Sequence, residues 1–171
     1  MVVSDDMTHV AVYIDTSGSM NGKMSVLNER DESRSLSDVL FAGSGRIRRE
    51  IWDIAMEIWD SIAGHISIMP ITIRTIHSKG QSKTLRKIGT YTEENLRNIA
   101  FPPRDGMTYL WEFLVSQGRN LIKKTDKWMF VLISDGMDSC SPGKYSGING
   151  FRSCVEELQG MNIDAEDFVY L

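Results

Sequence analysis

Apolar residues along this chain fall into two patterns. Short unbroken runs occur at 9–14 (HVAVYI) and 128–133 (WMFVLI), and each stops at a polar turn. The first turn is Asp15-Thr16-Ser17-Gly18-Ser19-Met20 and the second is Ser134-Asp135-Gly136. A run that is apolar on both faces and rich in β-branched residues suits a central strand of a parallel sheet covered by helices. A third run, DFVYL, lies at 167–171, and weaker strand candidates lie at 66–76 and 84–88. Between the runs, apolar positions recur every three or four residues, which predicts helices. Residues 46–63 carry Ile47, Ile51, Ile54, Ile58 and Ile62 on one stripe, widened by Trp52, Ala55, Met56 and Trp59. Residues 108–124 carry Leu110, Phe113, Leu114 and Leu121. Residues 92–99 open on Thr92-Glu93-Glu94-Asn95, a capping-box start, and 151–158 read as a further short helix.

Strands alternating with helices predict an α/β fold. The expectation is a single domain over 1–171, built on an open, mostly parallel, doubly wound sheet with helices on both faces. Residues 21–45 break the alternation: they are polar, with one apolar patch at Leu36, Val39, Leu40 and Phe41. A plain loop is usually shorter, so this stretch reads as an insertion containing one short helical turn.

Composition narrows the function classes. A chain of 171 residues with 42% hydrophobic and 25% charged residues can bury a core without disulfides or a structural metal. Any bound metal therefore points to function. The formal net charge is −4, and the densest basic group, Arg46, Arg48 and Arg49, is followed by Glu50 and Asp53. It reads as a solvated helix start, and no nucleic acid is expected as a partner. Cys140 and Cys154 form no CxxC pair and read as idle thiols, with a disulfide as the alternative. The first 20 residues include Asp5 and Asp6 and lack a signal-peptide core. No stretch approaches the roughly 20 apolar residues of a membrane span. The expected location is the cytoplasm, without a membrane partner.

The chemistry collects at the strand ends. Ligands of open α/β sheets bind at the carboxyl ends of strands, near the point where strand order reverses. Asp15 and Asp135 both follow apolar strands and should reach that edge. Ser17 and Ser19 alternate with Asp15 in a glycine-containing turn, so all three side chains can share one pocket. Asp105-Gly106-Met107-Thr108 opens a helix and belongs to a loop near that edge. Two carboxylates with three hydroxyls, lacking thiolate and imidazole, are a hard-oxygen donor set suited to Mg²⁺. Mn²⁺ and Ca²⁺ are the alternatives. The blander roles are a cap or turn for Asp15, a helix cap for Thr108 and a turn for Asp135. Asp105 and Asp138 read as solvated loop residues that can orient water or a ligand hydroxyl. Met20 and Met107 read as core or rim packing. His9, His65 and His77 receive no chemistry.

Asp15-Thr16-Ser17-Gly18-Ser19 resembles the DxSxS signature of the von Willebrand factor A domain family. Thr108 resembles the family's later threonine and Asp135 its later aspartate, in the expected order, and the resemblance spans 10–171. It implies a metal-ion-dependent adhesion site with Mg²⁺ on Asp15, Ser17, Ser19, Thr108 and Asp135. It implies a protein-interaction module, not an enzyme, that captures a Glu or Asp of a partner protein. Gly18, Asp105, Gly106 and Asp138 would form the surrounding rim. Intracellular members commonly act as adaptors or assembly factors, often beside AAA-type ATPases. Two departures from the family pattern stand out: Pro70 interrupts the candidate second strand at 66–76, and the sequence stops at Leu171 before a sixth strand and last helix.

Two other functions fit parts of the pattern. A haloacid dehalogenase–type phosphohydrolase would use Asp15 as nucleophile, but its acid two residues later is here Ser17. A structural subunit with an empty site would use the sheet edge or the insertion for its contacts.

Overall fold

The apolar run at 9–14 becomes a central strand, β1, His9–Asp15, in a computed structural model. The described residues are 9–27, 46–78, 81–121, 128–161 and 168–169. After a 3-10 turn at Gly18–Asn21 come strands β2, Lys23–Leu27, and β3, Arg46–Glu50, then helix α1, Ile51–Ile66. Strands β4, Ile71–Ile76, and β5, Thr84–Gly89, follow, with helices α2, Glu93–Arg97, and α3, Leu110–Leu121. Strand β6, Trp128–Ile133, helix α4, Gly150–Gln159, and the short strand β7, Phe168–Val169, complete the order.

The main sheet runs β5-β4-β1-β6-β7. β1 pairs in parallel with both β4 and β6, β6 pairs in parallel with β7, and β5 lies antiparallel at the edge. The chain therefore leaves β1 to one side for β4 and later crosses to the other side for β6. That reversal opens a crevice at the carboxyl ends of β1 and β6.

Strand alternation sends Val10, Val12 and Ile14 to one face of the sheet and Ala11 and Tyr13 to the other. The first set packs with Ala55, Trp59 and Ala63 of α1 and Leu96 of α2. The second packs with Leu110, Trp111, Leu114 and Val115 of α3 and with Cys154 and Leu158 of α4. Trp59 is buried whole because its indole N–H donates to the Leu96 carbonyl at 3.2 Å. Glu157 of α4 accepts from Arg119 of α3, Lys144 and Tyr145, which locks the outer helices together. Among the described residues no helix is long and apolar enough to cross a membrane.

Several expectations are corrected. Residues 46–50 are not the first turn of a helix. They form β3, antiparallel to β2, and the helix begins at Ile51, whose N–H donates to the Gly22 carbonyl at 3.0 Å. Ile47 satisfies a helical stripe in sequence, yet it pairs with Val26 across this ribbon. The 21–45 stretch thus begins at the last residue of the Gly18–Asn21 turn and continues into strand β2, and its apolar patch at 36–41 lies outside the described residues. Pro70 interrupts no strand. It precedes β4, and its carbonyl accepts from the Val10 N–H at 2.9 Å, so its missing N–H costs the ladder nothing. Met20, read as core or rim packing, is fully buried in the core. Residues 122–124 of the third expected helix lie outside the described residues, as do most of 167–171. Both cysteines are free thiols, Cys154 buried and Cys140 half-buried.

Candidate metal centre

Three loops meet at the crevice. The first leaves β1 at Asp15 and is held by Thr16, whose N–H and hydroxyl both donate to the Ile76 carbonyl, at 3.0 and 3.1 Å. The Ser17 N–H then turns back to Asp15 Oδ1 at 2.8 Å, and the Ser17 and Ser19 hydroxyl oxygens lie 3.0 Å apart. The alternation of Asp15, Ser17 and Ser19 is thus closed by local hydrogen bonds.

The second loop, 105–108, is stitched to the first by backbone. Asp105 N–H donates to the Thr16 carbonyl and Gly18 N–H to the Gly106 carbonyl, both at 3.1 Å. Gly106 has φ +68, and a Cβ there would lie 2.8 Å from His77 Cε1. Gly106→Ala is therefore expected to cost about 1–3 kcal/mol, as a non-glycine residue forced into a sparsely populated backbone region. Urea unfolding checks this, and an unchanged midpoint would mean the loop relaxes freely. Asn21 and Arg104 brace the same junction: Arg104 Nε donates to Asn21 Oδ1 at 2.7 Å, and Asn21 Nδ2 donates to the Arg104 carbonyl at 2.8 Å. Arg104 also stacks over Trp52, 4.6 Å from the ring centre.

The third loop follows β6. The Ser134 hydroxyl donates to Asp15 Oδ2 at 2.9 Å and accepts from the Gly136 N–H at 3.0 Å. Gly136, at φ +74, lets the chain turn back behind Asp135. Asp135 Oδ1 accepts from the Met137 N–H at 3.0 Å, whereas Asp135 Oδ2 is buried and, among the described residues, has no hydrogen-bond partner. Thr108 is buried and fixed to this loop: its N–H donates to Ser139 Oγ at 3.0 Å, and its carbonyl accepts from the Cys140 N–H at 3.0 Å.

Asp138 is not a solvated loop residue. Its Oδ1 accepts from the Cys140 and Ser141 N–H groups at 3.0 and 2.8 Å, and its Oδ2 accepts from the Trp111 N–H in the first turn of α3 at 3.1 Å. It satisfies a helix terminus from outside the helix. Asp105 is exposed, as expected, but it pairs with His77 Nε2 at 2.7 Å. His77 Nδ1 accepts from the Ser78 N–H at 2.7 Å, so Nε2 carries the hydrogen and donates to Asp105.

Electrostatics single out Asp15. Burial, with the nearby Asp135 carboxylate adding to it, raises its pKa to about 6 from 3.8, although hydrogen bonds from Ser17 and Ser134 pull the other way. A buried carboxylate kept costly to ionise, beside a second carboxylate with an orphaned buried oxygen, lacks a positive charge. A divalent cation would correct both defects, so the residues present fit the metal. Among the described residues, no three His, Cys, Asp or Glu side chains cluster to hold an ion. The two carboxylates would have to be completed by the hydroxyls of Ser17, Ser19 and Thr108.

Direct hydrogen bonds join Asp15, Ser17, Ser19 and Ser134, and charge couples Asp135 to Asp15. Thr108 joins through the backbone of its loop. Ser134, His77 and the Asn21–Arg104 brace were not anticipated as parts of the site. Of these, only Ser134 carried a local signal, as the residue beside Asp135 at the end of an apolar strand. No protein-family model matches this chain, and no curated protein matches it.

Proposed function

We propose that this chain is a von Willebrand factor A–type domain with a doubly wound sheet, acting as a metal-dependent protein-interaction module. Asp15, Ser17, Ser19, Thr108 and Asp135 would hold Mg²⁺. The observation that carries the proposal is the buried, unpartnered Asp135 Oδ2 beside the buried Asp15, two carboxylates that need a cation. Bound there, the ion supplies a Lewis-acidic position for one carboxylate oxygen of a partner protein's Glu or Asp.

The chain's own residues do the rest. Ser134 and the Ser17 N–H orient Asp15 by occupying one lone pair on each oxygen, which leaves the others for the ion. The 105–106 backbone holds the Ser17–Ser19 turn in place. Met107 and Met137 adjoin Thr108 and Asp135 and stay 58% and 62% exposed, so partner residues beside the captured carboxylate meet adaptable apolar surface. Such a module serves as an adaptor or assembly factor in a larger complex. An Asp15 that is buried with both oxygens already accepting hydrogen bonds favours ligation over nucleophilic attack.

Chelator-stripped protein titrated with MnCl₂ and followed by electron paramagnetic resonance tests the site directly. The expected result is one bound Mn²⁺ per chain, displaced by Mg²⁺ and absent in Asp135→Asn. Wild type that leaves all Mn²⁺ free at millimolar concentration would end the proposal.

A further inference from the structure

Beside the metal centre, between the end of β4 and the first turns of α3, lies a cleft of about 340 Å³ lined by Arg74, His77, Ser82, Tyr109, Glu112 and Phe113. Arg74 is its distinctive group. Among the described residues, its one hydrogen bond runs from Nη1 to Gln117 Oε1 at 2.8 Å, and its Nε is buried with no partner. No carboxylate of the described residues forms an ion pair with it. The guanidinium lies over the Phe113 ring, 5.8 Å from its centre. A guanidinium has five N–H donors in a fork that matches a carboxylate, and here most of that capacity is unused.

We propose that this cleft is a carboxylate-binding subsite organised by Arg74, working without a metal ion. Its size is at the low end for ligand pockets, right for an amino-acid side chain or a small carboxylic acid and too small for a nucleotide. Charge narrows the class further. Glu112 places one negative charge in the same wall as Arg74, and Lys83 lines the neighbouring cleft on the other side of His77 and Ser82 instead of this one. A singly charged carboxylate is repelled less by Glu112 than a phosphate dianion is, so the carboxylate is the better match to this wall. The Ser82 and Tyr109 hydroxyls add uncharged donors, and Phe113 gives the ligand's methylene groups an apolar surface.

The ligand is either a free small carboxylic acid or a carboxylate side chain of a partner, and the two are separable. The chelator-treated full chain is titrated with sodium glutarate, with a glutamate capped at both ends, and with inorganic phosphate, while the Arg74 Nε–H signal is followed by NMR. Saturable movement with glutarate alone assigns a free acid, and movement with capped glutamate alone assigns a partner side chain. Either supports the subsite. Arg74→Gln is expected to weaken binding at least about tenfold, the loss of a charge-assisted hydrogen bond. Glu112→Gln is expected to tighten it about threefold by removing a like charge. If Arg74→Gln does not fold, the direction of the Glu112→Gln effect still decides. No saturable movement with either carboxylate in wild type and Glu112→Gln overturns the proposal, as does phosphate binding more tightly than both. Asp135→Asn, which removes the metal response, should bind the carboxylate as wild type does, so the two sites stand or fall separately.

Discussion

Asp15→Asn is expected to stabilise the chelator-treated protein at pH 8 while abolishing its response to Mg²⁺. The reason is the raised pKa of Asp15, about 6 in the folded chain against 3.8 for an ordinary aspartate. A carboxyl group whose folded pKa is raised binds its proton more tightly in the folded state. Its contribution to stability is fully present below pH 3.8 and is lost as pH rises through about 6. Above that, the ionised group costs the metal-free fold on the order of 3 kcal/mol. Asparagine has no such titration, and its carbonyl oxygen can still accept from the Ser17 N–H. Wild type in chelator should therefore weaken between pH 4 and 7 in urea unfolding, and the variant's profile should be flatter over this range. If the variant is instead less stable than wild type at pH 8, the Asp15 carboxylate serves the turn itself and the functional interpretation fails. A structural Asp retained for its hydrogen bonds would give that second result.

The second expectation is the converse. Mg²⁺ should raise the thermal midpoint of wild type saturably, because an ion that binds only the folded state stabilises it by mass action. At about 100 times the dissociation constant this amounts to roughly 2.7 kcal/mol. For a domain of this size that corresponds to about 5–11 °C. The gain should shrink as pH falls below about 6, where Asp15 takes up a proton that competes with the ion. Asp135→Asn should remove it, since that variant loses the charge and the orphaned oxygen at once. An equal rise in Asp135→Asn would place any bound ion elsewhere. Silence towards Mg²⁺, Mn²⁺ and Ca²⁺ alike would leave the buried Asp15 carboxylate and the buried Asp135 Oδ2 without an explanation.

The two expectations share one physical cause. A site that concentrates negative charge in a buried crevice is destabilising until a cation arrives. Under the proposed function, fold stability and metal affinity would be opposed in Asp15, as they commonly are where a site is arranged for a ligand.

What the sequence by itself determined is local or periodic. β1 and β6 were legible because six-residue apolar runs have few alternatives, and their ends at Asp15 and Ser134 were legible because the polarity changes within one residue. The Thr92 cap was equally plain, since its side chain accepts from Asn95 N–H three residues away. The DxSxS turn belongs with these: its hydrogen bonds join residues two apart. Tertiary structure decided everything that joins distant segments. Residues 46–50 carry a helical stripe, yet pairing with 23–27 makes them a strand, because ladder hydrogen bonds outweigh a short amphipathic pattern. Pro70 became harmless only once the strand was seen to begin after it. Ser134 reaches Asp15 across 119 residues, Arg104 reaches Asn21 across 83, and Asp138 caps a helix 27 residues behind it. Periodicity carries no information at such separations. The Oδ2 of Asp135 and the Nε of Arg74, each buried without a partner among the described residues, became visible only when their surroundings were in place, because an unmet hydrogen bond is a property of what stands around a group.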